Sequence, residues 1–216
     1  MVELKINLIY TTCFDSILDN IKEQINEINC IYIIDKNKNE INLLHDYNEN
    51  LDGRGEEYIR NYSEAKNLNK KLFQESVDIF INDKKINFNF TYNIKDLNEI
   101  KVSFKFKKLL TNMSHMFSGC SSLISVDLSS FNTNNINNMS FVFDGCRNLE
   151  SINLSSLNIH NVKKMWGMFY DCQSLKSIDL STFNLNNVTD MSEMLSDCIS
   201  LKSLDLSFFI QIMSLQ

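Results

Sequence analysis

The chain contains no proline and only five glycines, a bias that goes with its abundance of Asn, Ile and Lys and reflects genome composition rather than function. The scarce glycines form no GxxxxGK[ST] or GxGxxG loop, and DGRGEE is too short to cradle a nucleotide phosphate. A GxSxG elbow is also missing. The three histidines, His45, His115 and His160, stand in unrelated contexts, so the reading is of a non-enzyme with no catalytic residue and no cofactor. None of the six cysteines forms a CxxC pair, which argues against a zinc site or a disulfide framework. No apolar run reaches 18 residues, and the opening MVELKINLIYTTCFD lacks a basic region followed by an apolar one. Neither a membrane span nor a signal peptide is visible, and the expected location is the cytoplasm. An excess of positive charge is lacking as well: 21 basic against 27 acidic residues leave a net charge of −6, which disfavours nucleic acid as a partner.

What is present is a strict period. At 44% hydrophobic and 22% charged, the 216 residues suit one or two soluble domains with a real core. MSHMFSGCSSLISVDLSSFN, beginning at Met113, returns as variants beginning at Met139, Met165 and Met191, each 26 residues after the last, and Cys120, Cys146, Cys172 and Cys198 keep the same step. A register this strict marks stacked units. The chain therefore divides into an N-terminal α/β region over residues 1–94, a degenerate capping repeat over 95–112 and four repeats over 113–216.

In the first region VELKINLIY alternates as a strand, and DSILDNIKEQINEI aligns Ile17, Ile21, Ile25 and Ile28 on a helix behind Asp15. CIYIID and EINLL read as strands around the turn KNKN, HDYNENLDGRGEE as a surface linker, and SEAKNLNKKLFQ as a short helix. VDIFINDKKINFNFTY predicts a hairpin around NDKK, and Val102, Phe104 and Phe106 mark a further strand. Leu97, Ile100 and Val102 lie 26 residues before Leu123, Val126 and Leu128, which makes this strand the cap of the stack.

Within a repeat, Met113, Met116, Phe117 and Cys120 follow i, i+3, i+4, i+7 and predict one buried face of a two-turn helix. Leu123, Val126, Leu128 and Phe131 follow LxxLxLxxF, an extended segment, and an Asn-rich turn leads to the next Met. The expected core is Met113, Cys120 and Leu123 with their counterparts Met139, Cys146, Leu149, Met165, Cys172, Leu175, Met191, Cys198 and Leu201. The motif NMSxMFxxCxSLxSIDLSSFN resembles the BspA-like class of leucine-rich repeats over residues 97–216. That resemblance implies a solenoid of parallel strands with short outer helices, used for binding a protein partner. An adhesive or structural role at a cell surface is the alternative it implies.

Two faces are candidates for binding. Ser125, Asp127 and Ser129 stack with Asn153, Asp179 and Asp205 as a hydroxyl strip with an acidic midline, which reads either as a solvated face or as a recognition surface. Asn153 interrupts the carboxylates, so no metal is assigned. Phe141, Trp166 and Tyr170 replace polar residues at outward positions and form the alternative, aromatic face. At the C-terminal end Phe208, Ile210 and Ile212 occupy expected polar positions, which predicts folding over the last coil or self-association.

Overall fold

The computed structural model describes residues 26–35, 38–48, 51, 55–94, 99–202 and 204. The first predicted strand, most of the first predicted helix and the C-terminal apolar residues lie outside these. Ile28, assigned to that helix, is in fact in strand β1 (Glu27–Ile33), where Ile28, Cys30 and Tyr32 alternate inward. Strand β2 (Glu40–Asn42) follows, then helix α1 (Glu56–Ser76) behind the N-cap Gly55. Tyr58, Tyr62, Ala65, Asn69 and Phe73 recur along α1 at spacings of three and four and are all buried.

Strand β3 (Val77–Ile81) begins where α1 ends and turns through Asn82 and Asp83, at φ 48° and 65°, into β4 (Lys84–Ile86). Two left-handed residues in a two-residue loop suit the right-handed twist of a hairpin, and Asn and Asp tolerate them best. This is the hairpin predicted around NDKK. Strand β5 (Thr91–Asn93) pairs with β2 as a separate two-stranded sheet. Strand β6 (Glu99–Phe106) buries Ile100, Val102, Phe104 and Phe106.

The repeats contribute β7 (Leu123–Asp127) and β8 (Ser151–Asn153). The main sheet has the order β4-β3-β6-β1-β7-β8, antiparallel throughout except for the parallel pair β7–β8. Strand β1 thus occupies the place beside β7, with Asn29 opposite Asp127 and Cys30 opposite Val126. One hydrogen-bonded sheet runs through both halves of the chain.

These observations overturn the expected leucine-rich-repeat solenoid. The sheet is mixed rather than parallel, and α1 is the one helix among the described residues. The segments that start at Met113, Met139, Met165 and Met191 are chains of turns, not short helices. Their inward residues stack from coil to coil: Phe117 lies on Phe143 at 5.6 Å and Phe143 on Phe169 at 5.4 Å, both nearly parallel.

Candidate functional site

The turns explain the site. His115, Phe141, Gly167 and Glu193 share one repeat position and have φ of 59°, 57°, 56° and 55°. Gly119, Gly145, Asp171 and Asp197, four residues further on, have φ of 71°, 68°, 56° and 60°. A left-handed residue every four positions is incompatible with an α-helix. The backbone hydrogen bonds are divided instead between two directions. Met113, His115, Phe117 and Gly119 donate their N–H groups to the carbonyls of Asn138, Ser140, Val142 and Asp144 in the next coil, at 2.7–3.1 Å. The intervening Met116, Ser118 and Cys120 donate to the carbonyls three residues back. The same bonds to the next coil recur from Met139 and from Met165, with bonds three residues back from Asp144 and Cys146 in the second coil and from Met168, Tyr170 and Cys172 in the third, so the main chain is paired without a helix.

Beside the second left-handed row runs a groove of about 820 Å³. Asp144, Asp171 and Asp197 from three successive coils line it, together with Asp46, which follows β2. Arg147 donates from Nε to Asp171 at 2.8 Å, Gln173 donates to the same carboxylate at 2.8 Å, and the Ser118 hydroxyl donates to Asp144 at 3.2 Å. The β2 end of the lining is tied to the first coil by His45, whose backbone N–H donates to the Met116 carbonyl at 2.9 Å and whose Nδ1 lies 3.0 Å from the Ser118 carbonyl. A carbonyl only accepts, so the Nδ1 carries the proton.

Asp144 and Tyr170 also line a second cavity, of about 350 Å³, with Tyr58, Phe141, Trp166 and Glu193. Tyr58 and Trp166 each meet the Phe141 ring edge-to-face at 4.7 Å, and His115 stacks on it at 5.0 Å. The neighbouring Asp197 carboxylate holds the Tyr170 phenol above its usual range.

The structure thus brings the sequence-predicted aromatics Phe141, Trp166 and Tyr170 to one cavity, though Phe141, expected to face outward, is 4% exposed. The hydroxyl strip is placed differently. Ser125 and Asp127 line a cavity of about 300 Å³ on the sheet face beside Asn29 and Lys101. Asp127, Asn153 and Asp179 accept hydrogen bonds from the N–H groups of Ser129, Ser155 and Ser181, so each closes an Asx turn. Asp205 lies outside the described residues. Of the expected core, Met113, Cys120, Leu123, Met139, Cys146, Leu149, Met165, Cys172 and Leu175 are buried, while Met191, Cys198 and Leu201 in the last coil are half-buried. Burial pushes the thiols of Cys120, Cys146 and Cys172 well up, and the latter two donate to the carbonyls of Phe117 and Phe143 at 3.1 and 3.2 Å.

Sequence reasoning missed Asp46, Tyr58, Asp144, Asp171, Glu193 and Asp197. One signal was available: Asp171 and Asp197 stand where the first two repeats have Gly119 and Gly145. A carboxylate in a glycine's place in the register marks a position that is left-handed and outward.

Residues 84–208 match the model of the family described as "Mycoplasma protein of unknown function, DUF285". The chain belongs to that family. No curated protein and no solved structure matches it. Together with the mixed sheet and the turns, membership of DUF285 replaces the resemblance to BspA-like leucine-rich repeats. Partner recognition through a leucine-rich-repeat solenoid, and the adhesive surface role, fall with it. The DUF285 span holds Asp144, Asp171, Asp197 and Trp166, whereas Asp46 and Tyr58 precede it. No described helix is long and apolar enough to cross a membrane.

Proposed function

We propose that this DUF285 chain is a binding protein without catalysis of its own, and that its groove takes a basic segment of a partner protein. One observation carries the reading: four carboxylates, from Asp46 and from Asp144, Asp171 and Asp197 on successive coils, face one groove in which Arg147 is already paired with Asp171. A row of carboxylates held on a rigid backbone ladder is complementary to an extended chain with repeated Lys or Arg, and such complementarity sets on-rate and specificity. The proposed location is the cytoplasm, where unpaired thiols such as those of Cys146 and Cys172 stay reduced.

The test is a fluorescence-polarisation titration of the full chain with a labelled lysine-rich peptide and a glutamate-rich control. Asp171→Asn combined with Asp197→Asn keeps residues that tolerate the left-handed backbone, removes two charges and releases Arg147 into the groove. Binding of the basic peptide should weaken by at least about tenfold, equivalent to about 1.4 kcal/mol. Wild-type affinity should also fall as salt is raised. Equal affinity for both peptides, or no effect of the double substitution, overturns the proposal.

A further inference from the structure

The groove shares part of its lining with a cavity of different chemistry. Tyr58, Trp166 and Tyr170 line it around the packed ring of Phe141, Asp144 and Glu193 give it negative charge, and no Lys or Arg is among its lining residues. We propose that this cavity binds a methylated ammonium group, with trimethylammonium as the preferred head. The inference rests on the groove reading in one respect: the groove and the cavity share Asp144 and Tyr170, so a methylated lysine in the bound segment and a free choline-like molecule are the two sources of the same chemistry.

The physical case begins with the walls. Aromatic faces attract cations through their quadrupole, most strongly for Trp, but they accept no conventional hydrogen bonds. A primary ammonium would bring three donors that ring faces cannot satisfy, so it would have to exchange its hydration for the carboxylates of Asp144 and Glu193 alone. A trimethylammonium has no donor and spreads its charge over methyl groups that pack against rings. At about 350 Å³ the cavity is at the small end for ligand pockets, as a head group of this size requires.

The walls are also held before any ligand arrives. Phe141 is wedged between His115 and Gly167: a Cβ on Gly167 would come within 2.5 Å of its ring. Trp166 is held against Phe141 by an edge contact at 4.7 Å, and Tyr170 lines both the cavity and the groove. Tyr58 is fixed by α1 and by edge contacts to Phe141 and His115 at 4.7 and 5.0 Å. Trp166 and Tyr170 are half-buried and Glu193 is exposed, which leaves the mouth open to solvent.

Trp166 is the sole tryptophan of the chain, so its fluorescence reads the cavity directly. The full chain is titrated with choline, with its uncharged isostere 3,3-dimethylbutan-1-ol, and with a lysine-rich peptide in unmodified and trimethyllysine forms. Choline or the trimethyllysine peptide should change Trp166 emission saturably, and the isostere should not. Glu193→Gln should weaken this binding about threefold and Trp166→Leu, followed by calorimetry, about tenfold. Saturation by choline alone identifies a small-molecule source; a gain of the trimethylated over the unmodified peptide identifies the lysine source. If the unmodified peptide binds in the groove while trimethylation adds nothing and choline is silent to millimolar concentration, this inference fails and the groove reading stands. If choline binds and neither peptide does, the groove reading fails and the cavity retains its small-molecule ligand.

Discussion

Gly167 shows how a single atom is excluded. Its φ of +56° is shared by His115, Phe141 and Glu193, so side chains are tolerated at this backbone position in the other three coils. In the third coil the space is taken by the Phe141 ring, with Cε1 and Cδ1 at 2.5 and 2.7 Å from where a Cβ would stand. Gly167→Ala therefore adds the left-handed penalty of about 1–2 kcal/mol to an overpacking cost of about 1–3 kcal/mol. We expect a loss of about 2–5 kcal/mol in chemical denaturation and a shifted Trp166 emission, because Phe141 must move against Trp166. Glu193→Ala, on the same backbone but in an exposed place, is the control and should change stability by less than about 0.5 kcal/mol. A loss at Gly167 no larger than the left-handed penalty of about 1–2 kcal/mol, with Trp166 emission unchanged, would show that backbone strain alone selects glycine here.

Among the elements, the β3–β4 hairpin is tied to the end of β6 by Asp78, which accepts from Lys107 at 2.8 Å and pairs with Lys85 at 2.9 Å. The Lys107 hydrogen bond, then that of Lys85, holds the Asp78 carboxyl below its ordinary range. A depressed carboxylate contributes stability that is complete above the ordinary carboxylate pKa near 4 and is lost as pH falls through the lower folded value. Asp78→Asn should cost up to about 1 kcal/mol at neutral pH and nothing near pH 2, so urea midpoints of the two proteins should converge as the solution is acidified. How far each element was legible follows from what its residues hide. The hairpin was readable because Asn82 and Asp83 punctuate an alternating pattern. Helix α1 was read too short: Asn61 and Asn69 sit on its buried face, bonded to Asn138 and to Tyr47 and the Ser114 carbonyl, and amides break an apolar count. The turns were read as helices because i, i+3, i+4, i+7 burial arises equally from left-handed turns, and periodicity reports which residues face inward, not which hydrogen bonds the backbone makes. Nor does an alternating pattern name its partner strand, so the place of β1 beside β7 was hidden. The aromatic half of the cavity was visible as Trp166 and Tyr170 breaking the repeat, but Tyr58 and Asp46 come from elements whose positions only the assembled fold supplies.

At the scale of the whole molecule, the two parts of the chain share their core. Strand β1 lies between β6 and β7, and Phe104 on β6 meets Phe117 of the first repeat edge-to-face at 5.8 Å. The buried Tyr47 hydroxyl donates to the Ser114 carbonyl at 3.0 Å, and Asn69 of α1 donates to the same carbonyl at 3.3 Å. Removing either half would leave these polar groups and a row of β-ladder donors and acceptors without partners inside an apolar surface, at roughly 1–3 kcal/mol for each buried group left unsatisfied. Stacked repeats on their own can unfold coil by coil, yet a stack sealed at one end by β1 and α1 must lose that seal when its first coils open. The chain carries a reporter at each place: ellipticity at 222 nm follows α1, the one helix among the described residues, and emission follows Trp166 in the third coil. In a urea titration both signals should change in a single transition with the same midpoint and slope, as two-state unfolding requires. A Trp166 transition that precedes the helix signal would mean that the later coils melt independently of the seal, and would restrict the cooperative unit to the N-terminal part with the first coils.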